Sequence, residues 1–256
     1  MVKTLWQRRL MMAIVVSPAL LCGPALTASA QEDAKGVYLD EPAPPPEPTV
    51  VREVAASDKY DDGKIRVERT IRQLSDNQIV NHGKFTEYYR NGQKFAEGTY
   101  EHGVHSGPWS YWHDNGQLSK TVNFNQGRPD GSWETFRADG TLEAKSTYKN
   151  GVREGTWILY HKDGKTPSVE QTYVDGKFQG QRTTYFANRK PWQQSSFVAG
   201  LREGVTTEWG ESGRKVAEAT FKADKLDGKL TRFSADGTTF EQVYRDGKAV
   251  PTAAGN

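Results

Sequence analysis

The chain has 256 residues, with 34 lysines and arginines against 32 acidic residues, 35% hydrophobic residues and a mean hydropathy of −0.77. This near-neutral charge argues against nucleic acid or an anionic membrane as the default partner. The hydrophobic content is low for a compact globule of this length, and it suits a thin array whose burial lies between neighbouring repeats.

Residues 1–30 have the pattern of a secretory signal. Lys3, Arg8 and Arg9 precede an apolar run from Leu10 to Leu26, and Ala28-Ser29-Ala30 offers a small-residue cleavage site. The run is short and contains two prolines, which disfavours an uncleaved membrane anchor. We expect cleavage near Ala30 and export to the periplasm, the cell envelope or the extracellular space. Cleavage would remove the only cysteine, and with it any disulfide, cysteine nucleophile or thiolate metal site.

Residues 31–59 are rich in proline and acidic residues, which predicts a disordered, solvated linker. Residues 60–82 carry a turn signal at Asp62-Gly63 and then alternate Ile65, Val67 and Ile71 with charged residues, as a half-buried strand does. Asn77 takes the place of a turn glycine. We interpret this segment as a divergent N-terminal cap, because terminal repeats are usually atypical. Residues 249–256 form a small, polar tail that we expect to fray.

Residues 83–248 consist of seven tandem repeats. Their opening glycines are spaced by 24 residues, with a single step of 25, and stand at Gly83, Gly107, Gly131, Gly155, Gly180, Gly204 and Gly228. Self-similarity at such a period is typical of repeat architectures.

Two aromatic columns run through all seven repeats. The first lies five residues after each opening glycine and contains Tyr88, Trp112, Phe136, Tyr160, Tyr185, Trp209 and Phe233. The second contains Tyr100, Phe124, Tyr148, Tyr173, Phe197, Phe221 and Tyr244. Two columns with one period fix the register of the repeat.

Glycines also mark the bends within each repeat. Asn-Gly or Asp-Gly pairs occur between short strand-like runs, and they favour hairpins because such turns need positive φ; they begin at Asn91, Asn115, Asp139, Asp163 and Asp236. A second glycine column, with Asp224 in one repeat, turns the chain into the next hairpin. The sequence therefore predicts an all-β fold: an elongated, single-layer antiparallel meander of about seven 24-residue hairpins and about fourteen strands, plus the cap.

The blocks Gly-x-Trp-x-x-aromatic-x-x-Asp/Asn-Gly and aromatic-x-x-Gly-x-x-x-Gly resemble the MORN-repeat-variant proteins of bacteria. They are clearest in the repeats that open at Gly107 and Gly131. The resemblance covers about two thirds of the chain and implies the hairpin-repeat fold. Some members are labelled antitoxins or immunity proteins, which implies a protein-binding role.

The spacing of the aromatic residues bears on the two faces of the sheet. Trp109 and Trp112 are three residues apart, and an odd separation in a regular strand sends side chains to opposite faces. We therefore expect an aromatic stripe on both faces unless a bulge intervenes, with rings stacking on their counterparts in adjacent hairpins. A single sheet cannot bury both faces, so some rings should stay exposed.

Catalytic motifs are weak. Gly164-Lys165-Thr166 ends like a phosphate-binding loop, but Leu159 stands where the earlier glycine is required. His102 and His105, with Glu101 and His113, form the only cluster with ligand-like spacing, at positions where other repeats carry solvated turn residues. We predict no enzyme activity, no cofactor and no metal site.

Differences between repeats indicate two candidate contact regions. The first is an aromatic group that consists of Trp109, Tyr111, Trp112 and His113. In the second, other side chains replace the usual rings of the repeat: Arg182, Arg189, Lys190 and Trp192. Sequence drift in a repeat that tolerates substitution would also explain the second group.

Three hypotheses follow from this surface. We favour an exported scaffold that binds another protein by a face or by edge strands. The alternatives are a module that binds cell-wall carbohydrate through stacked aromatics, and a lipid-surface module of the kind that eukaryotic MORN proteins suggest.

Overall fold

The computed structural model describes residues 47–251, and within this range every regular element is a β-strand. No helix that could cross a membrane occurs in this range. The predicted signal, most of the predicted linker and residues 252–256 lie outside the described residues.

The strands follow one another at short intervals. Their bounds are β1 Val50–Lys59, β2 Ile65–Leu74, β3 Ile79–Tyr88, β4 Lys94–Glu101, β5 Val104–Trp112, β6 Leu118–Asn125, β7 Arg128–Phe136, β8 Leu142–Lys149, β9 Val152–Arg153, β10 Gly155–Tyr160, β11 Pro167–Val174, β12 Lys177–Tyr185, β13 Pro191–Val198, β14 Leu201–Arg202, β15 Gly204–Trp209, β16 Lys215–Lys222, β17 Lys225–Phe233, β18 Thr239–Arg245 and β19 Lys248–Ala249.

These 19 strands form one open antiparallel sheet, so the predicted all-β hairpin meander is confirmed. The seven repeats occupy β3 to β18. Two of their strands are interrupted by one residue each, Glu154 between β9 and β10 and Glu203 between β14 and β15, and both residues still donate their N–H to the neighbouring strand. With each interrupted strand counted once, the repeats contain the predicted fourteen strands.

The turns within the hairpins lie along one edge of the sheet, which we call the long-turn edge. In the first of them only Gly92 has positive φ, at 87°, and its N–H donates to Tyr89 O. The Asn91 side chain accepts a hydrogen bond from the N–H of Gln93. Asn and Asp at this position therefore act through an Asx turn. The pairs therefore mark hairpin turns as expected, and the loop is longer than a two-residue turn and leaves a bulge at the start of the next strand.

The turns between hairpins lie along the opposite, short-turn edge and have positive φ at two successive residues. His102 and Gly103, for example, have φ of 48° and 82°. This is the geometry of a type I′ turn, whose twist matches that of the strands it joins. Asp224 replaces the glycine of one such turn with φ of 67°. The second glycine column thus marks the two-residue turns.

The predicted linker ends earlier than expected. Residues 50–59 were placed in the linker, but they form β1 and pair antiparallel with β2. The linker interpretation is therefore wrong for these ten residues. The physical reason is the Asp62-Gly63 turn, which closes a hairpin and gives the backbone of this segment a partner. At the other end Lys248 and Ala249 pair with β18, so the start of the predicted tail belongs to the sheet.

Cross-strand partners and alternation assign the side chains to two faces. The ring face carries Phe85 and Trp109, two residues after their opening glycines, together with the column of Tyr100. The back face carries the column of Tyr88 and Trp112. The expectation of aromatic stripes on both faces is confirmed. Within residues 47–251 the rings of the back-face column make no contact with other rings, whereas on the ring face Phe85 and Trp109, for example, are 5.6 Å apart.

Candidate functional site

The ring face is built from three rows of side chains that run across the strands. The central row alternates large and small residues on successive strands, beginning Phe85, Gly98, Trp109, Val122 and Trp133. Trp109 and Val122 are buried, and with Ala96 they form the core of the sheet. Each ring of this row lies over a small residue of the next strand, which is how a single layer buries large side chains.

The second row holds the column that begins at Tyr100. His105 packs between Tyr100 and Phe124, with ring centroids 4.7 and 4.9 Å away. Burial lowers the pKa of His105, and the charge of Lys120 adds to this. Farther along, the Arg153 guanidinium lies 4.0 Å from the centroid of Trp157, so cations and rings alternate here.

The third row contains two half-buried charged groups, Glu87 and Lys120. Glu87, Ala96, Tyr111 and Lys120 lie side by side on four successive strands. The Lys120 ammonium lies 3.9 Å from the Tyr111 ring centroid and 5.0 Å from that of Trp133. Neither Glu87 nor Lys120 forms an ion pair within residues 47–251.

Burial perturbs the titration of this row. It raises the pKa of the Glu87 carboxyl and lowers the pKa of Lys120. It also raises the pKa of Tyr111 to about 12, with smaller contributions from Tyr100 and Glu87. Titratable groups whose pKa values burial perturbs tend to cluster at functional sites, and this makes the row around Tyr111 the candidate site.

The ring face changes character in the later repeats. Arg182 and Thr206 occupy the positions at which earlier repeats carry Phe85 and Trp109. Arg182 donates to Gln171, and Thr206 donates to the buried hydroxyl of Ser195. Hydrogen bonds thus replace ring contacts, and a shallow, open depression forms beyond them, lined by Thr206, Glu208, Ala217, Ala219, Phe221 and Leu230.

The first predicted contact region is not one patch. Trp109 is buried at 2% exposure and its Nε1 donates to Thr99 O. Tyr111 lies beside it on the ring face, with ring centroids 6.0 Å apart. Trp112 points to the back face, where Lys94 lies over its ring. His113 lies at the long-turn edge and donates from Nε2 to Phe136 O. Of the four residues, only Tyr111 is a partly exposed member of the ring face.

The second predicted region is also divided. Arg182 lies on the ring face, whereas Arg189, Lys190 and Trp192 cluster at the long-turn edge. Lys190 donates to Ser212 O in the next hairpin, and Trp192 is 49% exposed. Trp192 is equivalent to Phe95, which is 37% exposed and lies 6.2 Å from the Tyr111 ring. Sequence reasoning missed Phe95 because its column is apolar in only some repeats.

Replacing Arg189 with glycine is expected to stabilise the protein by about 1 kcal/mol, because the left-handed conformation costs a side chain roughly that much. Arg189 has φ of 66° where the other six repeats carry glycine. Urea denaturation followed by circular dichroism measures the change. Gly92→Arg, at the equivalent position with φ of 87°, is the reverse control and is expected to destabilise by a similar amount. A loss of stability in Arg189→Gly would contradict the structural interpretation of this residue.

The predicted histidine cluster is dispersed. His105 lies among rings, His102 lies in a two-residue turn against His82, and His113 bonds a backbone carbonyl. No group of three His, Cys, Asp or Glu side chains within 47–251 is arranged to hold a metal ion. The ligand-like spacing of His102 and His105 therefore does not bring these two rings to a common point.

A ladder of side-chain hydrogen bonds along the long-turn edge escaped the sequence analysis. One residue after the column of Tyr88, the side chain bonds the backbone carbonyl of the next repeat; Tyr89 binds Trp112 O and Arg137 binds Tyr160 O. His113 and His161 do the same. In the first four repeats this position is held by Tyr, His, Arg and His, which share the ability to donate rather than one residue type, whereas Phe186 and Gly210 in later repeats have no side-chain donor. Alignment by residue identity therefore does not detect the ladder. The ladder gives two of the five histidines, His113 and His161, a structural role.

Comparison with known proteins supports the repeat assignment. No curated protein matches the chain. The family model described as the MORN repeat variant matches three successive segments, 81–102, 106–126 and 129–150, which include Phe95, Trp109, Tyr111 and Lys120. In this part of the chain the repeats match the MORN repeat variant, which the sequence motifs resemble.

Proposed function

We propose that this chain is an exported, non-catalytic repeat scaffold that binds another protein through the ring face around Tyr111. The observation that carries the proposal is Lys120, a half-buried ammonium held between two rings with no carboxylate beside it among the described residues. Placing an unpaired charge there costs desolvation free energy. A partner that supplies an acidic group and apolar surface would offset that cost.

Three further features support a protein partner. Phe95 is exposed next to Tyr111, and Trp192 is exposed at the equivalent place farther along the array. Aromatic residues are among the groups that dominate protein interfaces. The MORN-variant resemblance includes members labelled antitoxins, and we propose an immunity-like role of this kind; export is inferred from the N-terminal signal pattern.

The burial of Trp109 argues against the hypothesis that this residue stacks on a carbohydrate. Sugar stacking needs an accessible ring face, and Trp109 is 2% exposed with its indole N–H already bonded. A polysaccharide would have to contact Phe95, Tyr111 and Trp192 instead. Retention on isolated cell wall therefore serves as the second arm of the binding experiment.

The binding experiment compares two matched double variants. The test variant is Tyr111→Ser with Lys120→Ala on the ring face, and the control is Tyr160→Ser with Lys145→Ala on the back face. The tagged protein is used to capture partners from an envelope extract, and the captured protein is then titrated in pure form. We expect the test variant to weaken binding at least about tenfold, because interface anchors each contribute more than about 1 kcal/mol, and the control to bind as the wild type does.

Circular dichroism shows that both variants are folded before they are compared. An equal loss of binding in the two variants, or no loss of binding in the test variant, would refute the ring-face site. Retention on cell wall without any captured protein would replace the protein partner by a carbohydrate.

A further inference from the structure

The two ends of the sheet differ in how their outer strands are protected. At the C-terminal end, β19 and Val250 pair with Val243, Tyr244 and Arg245, and so cover part of β18. At the other end, β1 is ten residues long and pairs with β2 alone within residues 47–251. A long strand with an open side is a template for pairing with another strand.

The backbone groups of β1 alternate between β2 and the open side. Tyr60 donates its N–H to Lys64 O, so Tyr60 faces β2. The register shift next to Asp58 has its extra residue, Arg66, on β2, so Asp58, Ala56 and Val54 of β1 also face β2 by alternation. Glu53, Ala55, Ser57 and Lys59 must then turn their N–H and C=O groups outward. Small side chains at Ala55, Ala56 and Ser57 leave the middle of this edge free of bulk.

The charges of β1 suit its own antiparallel copy. A two-fold axis through Ala55 would pair Arg52 of one copy with Asp58 of the other, and the same contact would form twice. Val54 would lie against Ala56, and Glu53 against Ser57. No like charges face each other in this register. Charges on edge strands usually discourage pairing, but here their order is self-complementary.

We propose that the protein forms a symmetric dimer by antiparallel pairing of β1 with β1 of a second copy, centred on Ala55. About six backbone hydrogen bonds would join the two strands around Ala55. The ring face would continue from one copy to the next, since a two-fold axis perpendicular to the sheet keeps each face on its own side. Asp58 already contacts Arg69 at 3.0 Å, and Arg52 of the second copy would share it.

The test measures the oligomeric state of the purified full-length protein by sedimentation equilibrium. We expect a dimer with Kd in the micromolar range, as a small interface gives. Arg52→Glu would place two like-charged pairs across the axis and raise Kd at least tenfold. Asp58→Arg would do the same with two arginine pairs. Arg128→Glu, an exposed arginine of β7, is the matched control and should leave Kd unchanged.

Mixing the two weakened variants separates pairing from misfolding. A heterodimer of the Arg52→Glu and Asp58→Arg proteins restores opposite charges at both contacts, so it should form with nearly the wild-type Kd. A monomeric wild type at 100 times the expected Kd would overturn the proposal. So would a dimer that Arg52→Glu leaves intact, or a mixture that fails to associate.

Discussion

Replacing Trp109 with alanine is expected to lower the free energy of unfolding by about 3–5 kcal/mol. The indole is the largest member of the central row, is 2% exposed and touches Phe85, Tyr100, His105 and Tyr111. Its removal leaves a cavity among the surrounding rings, and the carbonyl of Thr99 loses its donor.

Urea denaturation followed by far-ultraviolet circular dichroism measures this loss. The control is Trp112→Ala, three residues away on the back face, where the half-buried ring contacts Lys94. We expect it to cost about 1–2 kcal/mol. If the two substitutions cost the same, the assignment of the core to the ring face would be incorrect.

The contrast between these tryptophans also shows what the sequence could predict. Their spacing indicated opposite faces, and the structure confirms that. The sequence could not tell which face is packed, because each face carries a column that is aromatic in all seven repeats, that of Trp112 on one face and that of Tyr100 on the other. That choice depends on the small partner across the strand. Gly98, Val122 and Ser146 are small and lie on the ring face, and their column has no conserved identity to attract attention.

Turns were predictable in position and less so in geometry. Gly92 and Gly103 mark bends as expected, because glycine accepts positive φ without strain. The Asn or Asp before the first of these glycines indicated a hairpin but not the length of its loop, in which the Asn91 side chain accepts a hydrogen bond from the backbone two residues on. Both geometries favour the same dipeptide, so sequence alone does not separate them.

The candidate site was predictable only in part. Tyr111 was selected from its aromatic neighbourhood, but Lys120 and Glu87 were not, since each is an ordinary charged residue in a repeat that contains many. Their significance comes from register. The pairing of β3 to β6 aligns Glu87, Tyr111 and Lys120 in one row, and burial then shifts their pKa values. Hydrogen bonds along the short-turn edge were missed for the same reason. The carboxylates of Asp130 and Glu154 each accept a hydrogen bond from a backbone N–H in the next two-residue turn, and they are different residue types.

Replacing Gly98 with alanine is expected to destabilise the protein by about 1–3 kcal/mol. A Cβ at this position would lie 2.2 Å from the Trp109 ring, so the indole would have to move. Movement of the ring would also break its hydrogen bond to Thr99 O, which is 3.0 Å long. Gly98 does not have positive φ, so the backbone itself accepts alanine.

The effect of Gly98→Ala on the free energy of unfolding should change sign when Trp109 is absent. In a Trp109→Ala background the obstructing ring is gone, and Gly98→Ala is expected to stabilise by about 0.4–1 kcal/mol, because alanine reduces the entropy of the unfolded chain. A double-mutant cycle by urea denaturation gives the coupling, which we expect to be about 2–3 kcal/mol. Additive effects would mean that Gly98 and Trp109 do not share the close contact on which the central row depends. The reversal would show that one missing side chain, repeated as a small residue on alternate strands, is what allows a single sheet to bury its rings.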